Sequence, residues 1–327
     1  MAFHVAERAT RDDRVLRTTQ VVSAVIIPFL VLAFVVLWGW PGDTGRLFAW
    51  PIKPPLTAML LGAVYLGGAY FFARAVRATR WHTIKAGFPP VATFATLMGI
   101  ATILHWEKFT HTHVAFWLWA GLYFTTPFLI AGVWVVNRRF EDRATDDEVL
   151  VPEAMAWAIG AIGVLASLMS AFLFLLPRAA IDLWPWTLTP LTARVMGAIF
   201  ALGLAAVGAF TERRWSAYRL MIQVEIVMLV LILGAGVRAA ADWDPSNVLT
   251  WLFAGGFTGV LVASVVLYLR MERRPAHPRG LSVPKVPGTE GLSAPKVPSS
   301  REGGRRGSPR PRPARSAPDS SSRARGW

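Results

Sequence analysis

The sequence places a carboxyl group and an amide inside an apolar segment. Gln223 and Glu225 stand within LMIQVEIVMLVLILGAGV. Glu225 is the sixth residue after Arg219, which puts it about 9 Å further along a helix. A carboxyl group inside a membrane is costly and usually faces a partner, a cavity or a proton path. The two residues are therefore candidates for a solute or proton site, and the alternative is a protonated or hydrogen-bonded side chain near the headgroups.

A second group of chemically active residues begins in the stretch HWEKFTHTH, residues 105–113. Zn²⁺ and Cu²⁺ accept histidine and carboxylate ligands, and the later stretch ADWDPSN adds two aspartates. The predicted metal site consists of His105, Glu107, His111, His113, Asp242 and Asp244. Its spacing matches no established ligand motif, so ordinary polar residues at the membrane interface are the alternative interpretation.

Several kinds of chemistry are excluded by residues that the chain lacks. It contains no cysteine, which rules out disulfides, thiolate metal centres, cysteine-ligated clusters and cysteine nucleophiles. The motifs G-x-x-x-x-G-K-[ST], G-x-G-x-x-G, H-E-x-x-H and G-x-S-x-G are also absent. None of the six histidines lies in the middle of an apolar segment, so a haem within a helix bundle is not predicted. The sequence identifies no cofactor and leaves open whether the protein is an enzyme.

Long apolar segments must position these residues. Hydrophobic residues make up 54% of the chain and charged residues 17%, which is too apolar for an ordinary soluble domain. A spanning segment needs roughly 20 apolar residues, and its backbone must be helical because lipid cannot satisfy it. Eight segments qualify: 21–39, 55–73, 86–104, 114–136, 154–176, 190–210, 220–237 and 248–269. The prediction is an all-α integral membrane protein with eight transmembrane helices.

Lysine and arginine are distributed unevenly between the two sides of the predicted membrane. The short segments on the side of the N-terminus carry 14 of these residues, against six on the other side. Loops rich in lysine and arginine stay in the cytoplasm. The distribution therefore predicts a multi-pass protein of the cell membrane with both termini in the cytoplasm.

The chain also repeats itself. WPIKPPLTAMLLGA at 50–63 returns as WPWTLTPLTARVMGA at 184–198, and ERATRDDRVL at 7–16 returns as DRATDDEVL at 142–150. Collinear matches offset by 134 or 135 residues predict two four-helix units, residues 1–140 and 141–274. Because each unit has an even number of helices, the two are predicted to be parallel, related by a pseudo-twofold axis along the membrane normal. Any central site would lie at their junction.

The repeated stretch contains two pairs of small residues at helical spacing. Ala58 is followed by Gly62, and Ala193 by Gly197, each four positions later. Such pairs let helix backbones approach closely, so these four residues are predicted packing positions. Three neighbouring tryptophans are predicted to anchor at the membrane interface: Trp50, Trp184 and Trp186.

Composition changes after Arg274, where Pro, Ser, Gly and Arg dominate. Residues 275–327 contain too few large apolar side chains to form a core, which predicts a disordered cytoplasmic tail. From Arg270 onward there are 14 basic and four acidic residues, so most of the net charge of +14 belongs to this region. The predicted partner is anionic lipid, at about 1 kcal/mol per basic residue near the surface. RNA or a protein is the alternative, and no specific nucleic acid contact is predicted.

Three functions follow from these features. The first is a small-solute or proton-coupled transporter with a site between the repeats, near Glu225. The second is a membrane enzyme or electron-transfer subunit with a metal site on the outer face. The third is a membrane scaffold or assembly protein that acts through its basic tail.

Overall fold

A computed structural model describes residues 12–142 and 148–274 of the chain. Eight helices in these ranges are long and apolar enough to cross a bilayer. They are α1 Arg17–Gly39, α2 Pro55–Arg77, α3 Phe88–Leu104, α4 Val114–Asn137, α5 Glu153–Leu175, α6 Pro190–Phe210, α7 Trp215–Arg238 and α8 Val248–Glu272. Two short helices, Thr44–Leu47 and Pro177–Leu183, lie between spanning helices. The prediction of an all-α multi-pass membrane protein is confirmed for the described residues, and the predicted tail lies outside them.

Local sequence explains where several helices begin. Pro55 and Pro190 occupy the first turns of α2 and α6, where the missing N–H of proline costs nothing. Thr189 caps α6 by accepting a hydrogen bond from the Thr192 N–H, and Asn247 caps α8 in the same manner through Leu249. These polar side chains satisfy backbone donors that the first helical turn leaves unpaired.

The helix pairs form a regular pattern of packing. α1 packs on α2 and α5 on α6, while α3 packs on α4 and α7 on α8. Two further pairs join the first four helices to the last four: α2 packs on α7, and α6 packs on α3. As a result α2 is largely buried, whereas α8 is mostly exposed to its surroundings. The eight helices belong to one compact unit.

Two faces of the bundle are defined by the segments between helices. The N-terminal face comprises residues 12–16, 78–87, 138–142, 148–152 and 211–214, and the opposite face comprises residues 40–54, 105–113, 176–189 and 239–247. On the N-terminal face, antiparallel backbone bridges join Arg14 to Arg80 and Leu150 to Arg214. The two bridges therefore link the segment before α1 to the α2–α3 loop, and the segment before α5 to the α6–α7 loop.

The bridges align the two halves in a different register from the sequence match. Leu150 takes the place of Arg14 in its bridge, whereas the matched stretches set Leu150 opposite Leu16. The hydrogen bonds between each segment and its neighbouring loop set this register, because the backbone N–H and C=O groups of the two must pair with each other. The sequence match and the two bridges therefore differ by two positions in how they pair these stretches.

The small residues of the repeated stretch lie at close helix contacts. Ala58 and Ala193 are buried. A Cβ added to Gly62 would lie 3.3 Å from atoms of Leu37 and Trp38 in α1. Gly197 lies equally close to α5, where an added Cβ would meet backbone atoms at 3.0 Å. These glycines therefore stand where α2 meets α1 and where α6 meets α5.

The expected membrane anchoring by tryptophan is wrong for the three residues that the sequence indicated. Trp50, Trp184 and Trp186 are all buried within the protein. The Trp50 ring packs against Trp119, with centroids 4.7 Å apart, and Trp184 packs against Phe253 at 4.8 Å. Aromatic pairs of this kind add to the stability of a core, and the loops that carry these tryptophans fold inward over the helix ends.

Candidate functional site

A cavity of about 500 Å³ lies in the middle of the bundle, and all eight helices contribute to its wall. Its lining is almost entirely aliphatic and aromatic, with side chains such as Leu30, Phe94, Ile159 and Phe257. Among the described lining residues, Glu225 supplies the single carboxyl group. The cavity is within the size range of small-molecule sites in proteins.

Glu225 enters this cavity from α7 and is bound to α8. Its Oε2 accepts a hydrogen bond of 2.9 Å from the Ser264 hydroxyl, and Ser264 is itself buried. No cation forms an ion pair with Glu225 among the residues that the structure describes. A carboxyl group held in this way keeps one oxygen available to a ligand or a proton.

Gln223 belongs to a different contact, although it stands only two residues from Glu225. Its Oε1 accepts a hydrogen bond from the Tyr70 hydroxyl at 2.9 Å, and its Nε2 donates to the Tyr268 hydroxyl at 3.0 Å. The amide therefore joins α2, α7 and α8. The predicted pair is divided, with Glu225 facing the central cavity and Gln223 acting as a brace between helices.

Two tyrosines on the cavity wall were not identified by sequence reasoning. The hydroxyl groups of Tyr65 in α2 and Tyr123 in α4 lie 2.7 Å apart and are buried. Both residues line the central cavity. They are 58 positions apart in the sequence. A tyrosine in an apolar helix is usually an ordinary core residue, so nothing in the sequence indicated that these two would pair. Together with Glu225 and Ser264, they belong to the few polar groups of a largely apolar wall.

A buried polar network on the N-terminal face was also missed. His82 lies between the two halves: its Nδ1 is hydrogen-bonded to the Asp13 carboxylate, and its Nε2 lies 3.1 Å from the Ser216 hydroxyl. Nε2 is also 3.4 Å from Oε1 of Glu148. Asp13 has a left-handed backbone, with φ of 55°, which aspartate tolerates better than most residues. Both ring nitrogens of His82 therefore have polar partners from other segments.

Lys85 connects the same face through two carboxylates. Its Nζ lies 2.5 Å from Glu141 and 2.9 Å from Glu212. Glu212 also binds Arg214, whose Nε is 3.0 Å away. Burial alone would raise the pKa of Glu212, but hydrogen bonds from Arg214 and Lys85 lower that pKa to about 2. Glu212 is therefore a carboxylate throughout the physiological range and ties the α2–α3 loop to the α6–α7 loop.

The predicted metal ligands on the opposite face have other partners. His105 Nε2 lies 2.7 Å from the Arg194 guanidinium, and burial together with the charge of Arg194 lowers the pKa of His105. Asp242 accepts a hydrogen bond of 2.8 Å from the Leu56 N–H at the start of α2. Asp244 accepts from the Ser246 hydroxyl and N–H at 2.6 and 2.9 Å, which lowers the pKa of Asp244.

The six predicted ligands are not brought together. Glu107 is exposed, while the His111 ring packs against Trp106 and Phe116. His111 Nε2 and His113 Nδ1 are buried without a hydrogen-bond partner. Within residues 12–142 and 148–274, no three His, Asp or Glu side chains form a group that could hold a metal ion. The loop instead packs its aromatic residues over the end of the bundle.

The chain was compared with protein-family models, with characterised proteins and with solved structures. None of them matches it. Its function must therefore be inferred from its own geometry. The feature with the clearest chemical meaning is the central cavity, because it combines a large apolar wall with one hydrogen-bonded carboxyl group.

Proposed function

We propose that the protein binds and transports an apolar, membrane-soluble ligand in the central cavity, with Glu225 contacting the polar end of that ligand. The observation that carries this proposal is the composition of the wall, which is apolar except for Glu225, Ser264 and a few hydroxyl groups. A sugar or an ion would lose its water shell there without replacement, at about 1–3 kcal/mol for each unpaired polar group. The substrate class is therefore a lipid-like molecule rather than a polar solute.

The arrangement of helices supports a site between two repeats, residues 1–140 and 141–274. If each helix is replaced by the helix four places later in chain order, the α1–α2 contact becomes the α5–α6 contact, and the α3–α4 contact becomes the α7–α8 contact. The same replacement, in which α1 follows α8, turns the α2–α7 contact into the α6–α3 contact. Such relations are expected of parallel repeats about a pseudo-twofold axis along the membrane normal. In this proposal the cavity lies on the axis, where a symmetric ancestor would have had its dimer interface.

An irregular helix beside the cavity favours transport over static binding. α6 is interrupted by the 3₁₀ segment Ala201–Gly203 and ends in a second one, Gly208–Phe210. Leu202, Gly203 and Ala206 line the cavity. A stretch of 3₁₀ helix within a longer helix often marks a hinge. We propose that α6 bends there when the cavity opens, while the uninterrupted helix α2 stays fixed in the core.

The role proposed for Glu225 is to exchange a proton as the ligand binds or leaves. Its neighbour Ser264 has a hydroxyl that can donate to the carboxylate or accept from the carboxylic acid. Neutral Glu225 suits an occupied apolar cavity, because an unpaired charge away from water is costly. Ligand movement and proton movement would then be linked through a single side chain.

Orientation and lipid contacts complete the proposal. The excess of Lys and Arg on the N-terminal face supports a cytoplasmic position for both termini in a cell membrane. The predicted contact of the basic tail with anionic lipid concerns residues outside the described ranges and stays a prediction. The hypothesis of a metal enzyme gains no support from the described residues, because no three His, Asp or Glu side chains among them form a group that could hold a metal ion.

The ligand-binding proposal is tested by filling the cavity. Ala205 lines it, so Ala205→Phe should displace a bound molecule, whereas Ala131→Phe places the same ring on the exposed side of α4. Native mass spectrometry of protein released from native-lipid nanodiscs should show an apolar ligand on the wild type and on Ala131→Phe. Occupancy should fall at least tenfold in Ala205→Phe. Equal occupancy in all three proteins, or none in the wild type, would contradict the proposal.

The role of Glu225 is tested separately. Glu225→Gln keeps the size of the side chain and its hydrogen bonding but removes the titrating group. In proteoliposomes that contain a trapped pH-sensitive dye, adding an extract of the co-purified ligand should change the internal pH with the wild type. The change should be absent with Glu225→Gln. If the variant moves protons as the wild type does, Glu225 has no part in coupling.

A further inference from the structure

A second cavity, of about 330 Å³, opens between the end of α2 and the start of α7. Four of its eleven lining residues are arginines: Arg74, Arg77, Arg80 and Arg219. Among the residues that the structure describes, no acidic side chain lines it. It is separate from the central cavity, and its lining is predominantly charged and polar where the other is apolar. The cavity is therefore built for a different kind of ligand.

Three of these arginines lack a counterion among the described residues. Arg74, Arg77 and Arg80 form no hydrogen bond or ion pair through their side chains there, and only Arg219 is paired, with Glu272 at 2.6 Å. Elsewhere on the same face, Lys85 binds two carboxylates. Cations that face one cavity without compensation repel each other, and an anion in the cavity would remove that repulsion.

The rest of the wall offers hydrogen-bonding groups. Ser216, in the first turn of α7, presents a hydroxyl that His82 Nε2 holds at 3.1 Å. Thr83 lines the same cavity, and its hydroxyl donates to the Arg80 carbonyl at 2.7 Å. His82 is buried and fixed by Asp13, so the position of Ser216 is set by the network of the N-terminal face. Ser216, Thr83 and the four arginines therefore line one and the same cavity.

The location selects the source of the anion. Arg74 and Arg77 lie in the last turn of α2, and Arg219 lies in the second turn of α7. Both helices span the membrane, so the cavity stands at the level where lipid headgroups are found. Guanidinium groups bind phosphate oxygens in a forked geometry that several arginines can share. Basic pockets between membrane helices recognise phosphate headgroups in this way.

We propose that this cavity binds the phosphate group of an anionic membrane lipid. Arg74, Arg77 and Arg80 supply the charge, and the Ser216 hydroxyl contacts a phosphate oxygen. The lipid is held at the junction between the two halves, since α2 comes from one half and α7 from the other. The site is independent of the transported ligand, so its failure would leave the central cavity unaffected.

The test compares two triple variants that lose the same charge. Arg74→Gln/Arg77→Gln/Arg80→Gln removes the unpaired arginines of the cavity. Three exposed arginines of the same face that do not line it are replaced in the control: Arg139→Gln/Arg270→Gln/Arg273→Gln. Each full-length protein is placed in mixed nanodiscs of phosphatidylglycerol and phosphatidylcholine. Native mass spectrometry then measures which lipid stays bound.

The wild type and the control should retain phosphatidylglycerol in preference to phosphatidylcholine. The ratio of bound phosphatidylglycerol to bound phosphatidylcholine should be at least tenfold lower in the cavity variant. Equal preference in the wild type and the cavity variant would overturn the proposal. Inorganic phosphate titrated into detergent-purified protein tests the other source: arginine-dependent phosphate binding without any lipid preference would overturn the assignment to lipid. Arg77→Gln alone, on an exposed side chain, should give a smaller loss in the same direction if the triple variant folds poorly.

Discussion

Single residues on the N-terminal face show how strongly local charges can hold the fold together. Glu212 accepts hydrogen bonds from Arg214 and Lys85, which lower its pKa from 4.5 to about 2. A carboxyl group whose pKa is lower in the folded than in the unfolded protein stabilises the fold above its unfolded pKa. This stabilisation is complete above about pH 5 and is lost as the pH falls toward 2.

We expect Glu212→Gln to lower the melting temperature at pH 7, because a neutral amide cannot replace a carboxylate between two cations. After allowance for solvent screening, the loss is on the order of 1–2 kcal/mol. The difference from the wild type should shrink as the pH falls from about 4.5 toward 2, because the Glu212 carboxyl group of the unfolded protein takes up a proton in this range while that of the folded protein stays ionised until about pH 2. Thermal unfolding in detergent at a series of pH values measures this difference.

Glu153→Gln is the matched control for this prediction. Glu153 lies on the same face, but it is 73% exposed and its distance to Arg213 is 3.9 Å. An exposed ion pair of this kind contributes little to stability. Its replacement should therefore change the melting temperature by less than a third as much, with no dependence on pH. Equal effects of the two substitutions would show that Glu212 is not specially stabilised.

Sequence reasoning at the residue scale found Glu225 because a carboxyl group in an apolar segment is conspicuous by itself. It could not find His82, whose partners Asp13 and Ser216 are 69 and 134 residues away. Such contacts exist only once the loops have folded onto each other. The prediction of a metal site used residue type alone. It did not anticipate that His105 would contact Arg194, or that Asp242 would accept a hydrogen bond from the N-terminus of α2.

Helices were the easiest elements to predict, because a long apolar segment in lipid has one backbone solution. All eight predicted segments overlap the observed spanning helices, and four of the predicted starts coincide with the observed ones: Pro55, Val114, Pro190 and Val248. α7 begins at Trp215, five residues before its apolar segment, and its first turn is held by contacts of Ser216 with His82 and of Trp215 with Glu272. The 3₁₀ segments of α6 follow from no single residue, although Gly203 and Gly208 belong to them.

Close packing between α5 and α6 leads to a prediction about Gly163. A Cβ at this position would lie 2.7 Å from the Val207 nitrogen and 2.8 Å from the Gly203 oxygen. Backbone atoms cannot move aside as a flexible side chain does, so Gly163→Ala should force the helices apart. We expect a loss of about 1–3 kcal/mol, seen as a lower melting temperature and faster proteolysis.

Gly259→Ala in α8 provides the comparison, since nothing lies within 4 Å of its added Cβ. Both substitutions gain the helix propensity of alanine, about 1 kcal/mol in an exposed helix interior. Gly259→Ala should therefore leave the melting temperature unchanged or raise it. A Gly163→Ala protein as stable as the wild type would mean that α5 and α6 do not approach each other as closely as the structure shows.

At the scale of the whole molecule, the two halves are joined on both faces. On the N-terminal face, Lys85 binds Glu212. On the opposite face, the Trp186 indole donates to the Thr57 hydroxyl at 2.9 Å, and Asp242 binds the first turn of α2. The central cavity lies between these two layers of polar contacts. If the protein transports a ligand as proposed, opening the cavity to one side at a time would require one layer to loosen while the other holds.

The orientation of the molecule in the membrane can be tested directly, because the chain has no cysteine of its own. A single introduced cysteine is then the only thiol that a maleimide can label. Lys108→Cys lies on the opposite face and Arg139→Cys just after α4 on the N-terminal face, and both side chains are exposed. If lysine and arginine mark the cytoplasmic side, an impermeant maleimide should label Lys108→Cys in intact cells.

Arg139→Cys should be labelled only after the cells are opened, so each variant serves as the control for the other. The reversed pattern would place both ends of the described bundle outside the cell, and it would mean that the excess of 14 basic residues over six does not set the topology. Labelling of both variants in intact cells would contradict the placement of these residues on opposite faces. The result also fixes the side on which the arginine-lined cavity meets lipid, because Arg139 and Arg80 lie on one face.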